Sequence, residues 1–178
     1  MKNLIKYSMA IGLAVGVTAA STSTSAHDSA DDVVKHRMEA MGNLGSAMKG
    51  IKANLKPETT EHHEGLLKAA TMIMDHSGVH LNKLFPEGSG GGKSRALPAI
   101  WEKKDQFDSI SQRLQDSSRA LAMKATKALG KDASSLMEGL IGERGEIIAG
   151  LSDQPTAVIF KTIATTCGAC HNDYRAPK

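Results

Sequence analysis

Aromatic side chains are scarce in this chain: at 3% they amount to Trp101, Tyr7, Tyr174, Phe85, Phe107 and Phe160. A core with so few rings is built from Leu, Ile, Met and Ala, or takes bulk from a cofactor. Alternating runs of Val, Ile and Thr are nearly missing, and with five prolines this argues against an all-β fold. There is no polybasic run and no aromatic interleaving, which leaves nucleic-acid binding without support. Long hydrophobic runs are also lacking. The one apolar stretch, Ser8 to Ala20, is about 13 residues, too short to span a bilayer as a helix. What is present is ordinary for a globular chain of 178 residues: 40% apolar and 23% charged residues, enough for one domain or at most two.

Residues 1–26 read as a secretory signal peptide. Lys2 and Lys6 form a positive start, the apolar stretch follows, and Thr24-Ser25-Ala26 offers small residues for cleavage near Ala26. The expected mature chain, residues 27–178, is a single exported, periplasmic domain. Removing Lys2 and Lys6 and no acid lowers the net charge from +3 to +1, so charge alone names no partner.

The mature chain reads as helix almost throughout. From Asp31 to about Leu55 an apolar stripe of Val34, Met38, Met41, Leu44, Met48 and Ile51 recurs at spacings of three and four. Pro57 opens a second helix, with Glu58 and Glu61 in its first turn and a stripe of Leu66, Leu67, Ala70, Met74, Leu81 and Leu84. Pro86 to Ser94 is a glycine-rich loop. Pro98 begins a third, long helix through Ile100, Trp101, Phe107, Ile110, Leu114, Leu121 and Leu129. After a break at Gly130–Asp132 comes an amphipathic extra segment, residues 133–151, and then a last helix from Thr156 to about Arg175. The expected fold is all-α, an antiparallel four-helix bundle with an extra helical segment before its last helix.

Both cysteines of the chain fall in Cys167-Gly168-Ala169-Cys170-His171. On a helix, Cys167 and Cys170 are three apart and His171 is four from Cys167, so all three face the same way. Covalent haem attachment needs this: two thiols reach two vinyl groups on one porphyrin edge while the adjacent imidazole turns under the ring to bind iron. Other uses of the spacing fit less well. A thioredoxin-like redox pair needs a βαβ setting, a structural zinc site needs a second ligand pair, and a disulfide here would close a trivial loop.

Three blocks together resemble the class II c-type cytochromes, the cytochrome c-prime family. They are Cys167 to Arg175; Leu84-Phe85-Pro86 with Leu97-Pro98-Ala99-Ile100-Trp101-Glu102 and Phe107; and Arg37 with Met41 and Gly45 in the first helix. The segment 133–154 is longer than the family pattern and has no assigned role. The resemblance implies one covalently bound haem c attached at Cys167 and Cys170, with His171 as proximal iron ligand. It also implies that the first helix passes over the other haem face with Met41 at the distal position. Arg37 is then expected near a haem propionate, and Arg175, one turn after His171, beside the proximal face.

Met41 lies in a stripe with Met38 and Met48, a pattern that is also ordinary core packing. Tyr174, Phe85, Trp101 and Phe107 read as packing residues. His76 and His80, four apart on one helix beside Asp75, form a candidate surface metal pair whose bland reading is solvated polar positions. His62 and His63 point to different faces and are expected to be exposed. His36 is an alternative sixth ligand that lies off the Met41 direction.

The favoured expectation is a periplasmic monohaem electron carrier working with redox partner proteins, ligated by His171 and Met41. The alternative is a five-coordinate member of the same family that binds nitric oxide or carbon monoxide. An enzyme such as a peroxidase needs a distal acid–base group, and none is evident near Met41. Monomer and homodimer both remain open, because the second helix shows no clear apolar patch.

Overall fold

The structure is a computed structural model and describes residues 24–55, 60–140 and 142–177. Most of the expected export signal, including Lys2, Lys6 and the stretch Ser8 to Ala20, lies outside the described residues, as do Pro57, Glu58 and Ile141. The described chain folds as helices α1 (Thr24–Ala53), α2 (Thr60–Asp75), α3 (Val79–Asn82), α4 (Ala99–Glu102), α5 (Lys104–Ala128), α6 (Glu143–Ser152) and α7 (Thr156–Tyr174), with a 3-10 turn at Ser134–Met137. The long helices α1, α2, α5 and α7 form the bundle. Pairings run in opposite directions: on α1 and α2 Gly50 meets Ala69 while Asn43 meets His76, and on α5 and α7 Phe107 meets Tyr174 while Lys127 meets Asp153 just before α7.

Helix α1 is turned relative to the expected stripe. Its buried seam is Arg37, Ala40, Leu44, Ala47 and Ile51, at spacings of three and four. Met41 and Met48 are half-buried, and Met38, expected in the stripe, is 69% exposed. Small Ala and Gly side chains set this rotation, because they let α1 approach α2 closely: a Cβ on Gly50 would touch that of Ala69 at 3.4 Å. Val34, Met38 and Met41 then turn away from α2 and toward the gap beside α7.

The second helix is shorter than its periodicity predicts. It stops at Asp75, and Leu81 belongs to the separate α3. Ser77 bonds back to the carbonyl of Ile73 at 2.6 Å, and Gly78 takes φ +61, a left-handed conformation that ends the helix. Gly78 exchanges hydrogen bonds with Ser111 of α5, through its amide at 3.2 Å and its carbonyl at 3.1 Å. The third helix is likewise divided at Lys103 into α4 and α5.

Helix α5 runs through the centre. Ser117, Ser118, Ala120, Ala122 and Ala125 are buried beside Leu114 and Leu121, and their small size lets α2 and α7 pack closely on it. The buried hydroxyls of Ser117 and Ser118 donate to the carbonyls one turn earlier, at 2.8 and 2.9 Å, so both are paired. The extra segment packs on the outside of α5. Arg144 grips the Asp116 carboxylate at 2.6 Å, Arg119 donates to the carbonyl of Leu136 at 2.7 Å, and Ile148 is fully buried.

Two apolar clusters result. The larger contains Leu44, Ile51, Leu66, Ile73, Leu121, Ile148, Ile159 and Ile163, with no fully buried ring. Among the described residues every buried ring lies in the smaller one, where Phe85, Phe107 and Tyr174 join Leu81 and Ile100. The scarce aromatics are therefore concentrated at one end of the bundle, around a cavity. Among the described residues no helix is long and apolar enough to cross a membrane.

Candidate haem site

Helix α7 presents Cys170 and His171 on its inward side, while Gly168 and Ala169 between the cysteines are exposed. Cys170 packs against the aromatic cluster and Cys167, one turn earlier, against the larger core. Both thiols are free and half-buried. Burial pushes both upward from their ordinary range, Cys170 to about 11, so they stay protonated. A catalytic redox pair or a zinc site requires the thiolate, and this environment disfavours it.

His171 lines a cavity of about 320 Å³. Burial, followed by the nearby Arg175 and Arg95 cations, lowers its proton affinity. The neutral imidazole, whose lone pair binds iron, is thereby favoured. Arg175 is exposed, with its Nη1 3.4 Å from Nδ1 of His171. Met41 lines the same cavity from α1, together with Val34 and Met38. Five of the six expected site residues, Met41, Arg37, Cys170, His171 and Arg175, thus meet in one wall; Cys167 stands one turn deeper along α7 and outside it.

Arg37 lines the cavity and is also bonded to the protein itself. It is buried, and donates through Nε to the carbonyl of Leu84 at 2.9 Å, through Nη1 to Ser89 O and Ser94 Oγ, and through Nη2 to Ser89 Oγ at 2.7 Å. Its plane lies over the Phe85 ring, 4.1 Å from the centroid. Arg37 is first a tether for the loop after α3. Phe85, Phe107 and Tyr174 continue that contact as edge-to-face pairs at 5.0 and 5.3 Å. The C-terminal end of α7 is tied to the same loop, since Leu97 N donates to Tyr174 O and Ala176 N to Arg95 O.

Sequence reading missed Lys93, Ser94 and Arg95, which line the cavity from the loop that is bonded to the C-terminal end of α7. The signal available for them was a Lys-Ser-Arg triplet placed directly after the glycine run. With Arg37 and Arg175 they give the cavity four cationic side chains, and among the described residues no carboxylate side chain lines it. An apolar chamber with a cationic rim, an imidazole and paired thiols on one helix face suits an apolar ring that carries two carboxylates and two vinyl groups.

A family model described as Cytochrome C' matches residues 32–142. The chain belongs to the cytochrome c' family. It is 32% identical over 148 residues to cytochrome c' of Rhodopseudomonas palustris, covering 83% of this chain and 84% of that one. Among solved structures, cytochrome c' from Thermochromatium tepidum superposes with a TM-score of 0.61 at 20% identity, covering 83% of this chain and 97% of that one. A variant of cytochrome c prime from Alcaligenes xylosoxidans, solved as a nitric oxide complex, gives 0.55 at 23% identity, with 84% and 97% covered. This cytochrome c' family member is a monohaem c-type cytochrome with one covalently bound haem c. The family match extends into the extra segment, which takes no part in the cavity wall.

The remaining histidines are placed elsewhere. His76 and His80 do not share a helix, because α2 ends at Asp75, His76 lies in the turn after it and His80 is in α3. His76 is also occupied: its Nδ1 lies 2.9 Å from the carbonyl of Met72 and its Nε2 3.0 Å from the Asn43 amide. His62 and His63, expected to be exposed, are half-buried in a groove at the far end of the bundle, beside Leu66, Lys124 and Asp153. His36 is exposed and does not line the haem cavity. No group of three or more His, Cys, Asp and Glu side chains suited to a metal ion occurs among the described residues.

Proposed function

We propose that this cytochrome c' family member is an exported, periplasmic electron carrier whose haem is attached through Cys167 and Cys170 and held axially by His171 and Met41. The observation that carries the reading is that Met41 from α1 and His171 from α7 line one cavity. The haem supplies the one-electron chemistry. The protein excludes water with Phe85, Ile100, Phe107 and Tyr174, keeps the imidazole neutral, and offers a thioether, a soft neutral ligand that favours the ferrous state and raises the potential.

A second reading is supported by the nitric oxide complex of the Alcaligenes relative: an open distal site, with Met41 packing over it, that takes nitric oxide or carbon monoxide. The half-buried position of Met41 in the cavity wall suits either arrangement. Optical spectra of the oxidised and reduced holoprotein, with and without carbon monoxide, separate them. Electron transfer with Met41 ligation predicts sharp low-spin bands that resist the gas and become high-spin and gas-sensitive in Met41→Leu. Broad bands that respond to carbon monoxide in the unmodified protein would overturn that ligation and favour gas binding.

A further inference from the structure

The cations of the haem cavity fall into two groups with different duties. Arg37 has five N–H groups and places four hydrogen bonds on the protein itself, all of them to the loop between Leu84 and Ser94. The same loop is gripped from the other side by Trp101, whose Nε1 donates to the carbonyls of Phe85 and Pro86 at 3.2 and 2.9 Å. Gly90 sits against the Trp101 ring so closely that a Cβ would lie 2.9 Å from it. Ser89 Oγ to Pro86 O and Ser94 N to Gly91 O complete the internal bonding. The loop is therefore held at both flanks.

What this held loop presents to the cavity is Lys93, Ser94 and Arg95. Lys93 is exposed and makes no hydrogen bond or ion pair with any described residue. Arg95 is half-buried and commits Nη2 to the carbonyl of Ala176, which leaves the rest of its fork. Arg175 lies alongside, its backbone bridged to Ala96, with its Nη1 3.4 Å from Nδ1 of His171. The other titratable groups of the wall are Cys170, His171 and Tyr174; Glu39 and Lys35 face Lys93 across the adjoining groove.

We propose that Lys93 and Arg95, carried on the loop that Arg37 tethers, are the residues that neutralise the two haem carboxylates, and that Arg37 is a positioning residue behind them. The proposal rests on the haem c site of the preceding reading and holds for five- or six-coordinate iron. The cation-only wall is the reason: two carboxylates entering an apolar chamber need charged partners, and the cation with no other partner is the one the loop delivers.

The test uses holoprotein carrying haem labelled with carbon-13 at its carboxyl groups. Carboxylate titration by NMR and the pH dependence of the midpoint potential are followed in Lys93→Gln, Arg95→Gln, Arg37→Lys and the control Lys52→Gln, an exposed site at the far end of α1. Loss of a cation beside a carboxylate raises its pKa by about one unit. It also shifts the midpoint potential negative, because the ferric state, with its extra positive charge, is then less disfavoured. Both shifts are expected in Lys93→Gln and Arg95→Gln and in neither readout of Lys52→Gln. Arg37→Lys keeps the charge but loses the fork, so it should shift the titration as Lys93→Gln does, through the loosened loop; a direct contact would leave it near the unmodified value. Wild-type titration in Lys93→Gln and Arg95→Gln, or an equal shift in Lys52→Gln, would overturn the proposal. Slower electron exchange with an acidic partner while the titration stays put would assign these cations to docking instead. Spectra that disprove Met41 ligation leave these readouts untouched, so the two failures are distinguishable.

Discussion

The guanidinium of Arg37 lies 4.1 Å from the centre of the Phe85 ring while its N–H groups reach the loop beyond it. One side chain of α1 thereby joins the first helix, the loop and the aromatic cluster that closes the haem cavity. Burial lowers its pKa, because desolvation disfavours the charged guanidinium.

Arg37→Ala should destabilise the holoprotein by about 3 kcal/mol, since it leaves buried carbonyl and hydroxyl acceptors unpaired. Arg37→Lys should keep most of that loss, because an ammonium cannot reproduce the fork or the stacking. Urea unfolding measures both; a change near zero in either variant would show that the loop is held by Trp101 alone.

Gly78→Ala tests the break that ends α2. The residue sits at φ +61, and an added Cβ would come within 2.6 Å of the Gln115 side-chain oxygen. The expected cost is about 2 kcal/mol in unfolding free energy. Because Gln115 donates to the carbonyls of Met74 and Ser77, Gln115→Ala in the Gly78→Ala background should recover only the steric part.

The thiols and the imidazole of α7 are tested chemically. Cys167→Ala with Cys170→Ala should leave haem extractable by acid acetone, whereas the unmodified protein should retain it. His171→Ala should abolish the normal haem spectrum. Covalent haem in the double variant, or an unchanged spectrum in His171→Ala, contradicts the assignment.

Stability at alkaline pH has a definite sign at Tyr174. Burial, followed by the charges of Asp173 and Cys170, raises its phenol above the ordinary value of about 10. The folded protein therefore holds that proton more tightly than the unfolded chain. The contribution is complete below the unfolded value and is lost as pH rises through it toward the folded value. Between about pH 8 and pH 11, the urea midpoint of Tyr174→Phe should fall less steeply than that of the unmodified protein. Parallel curves would mean that the phenol titrates alike in both states.

The helical class, the four principal helices, the loop at Pro86–Ser94 and the haem motif were legible in the sequence, because they rest on local spacing. A 3.6-residue period shows amphipathic helices, and a C-x-x-C-H run contains its own geometry within one turn. Gly78 was legible as a residue but not as a stop, since its left-handed conformation depends on hydrogen bonds to Ser111, 33 positions away. Continuing the stripe through it misplaced His76 and His80 on one helix.

Only the tertiary structure decided which side of α1 faces the core, because rotation about a helix axis is set by how closely its small residues let a neighbour approach. That rotation buried Ala40 and Ala47 and left Met38 and Met41 to the cavity. It also turned Arg37 into the tether of a loop some fifty residues on, bringing Lys93 and Arg95 to the rim. Spacing along the chain determined what α7 presents. The partners of a buried charge depend on contacts distant in sequence, and folding alone supplied them.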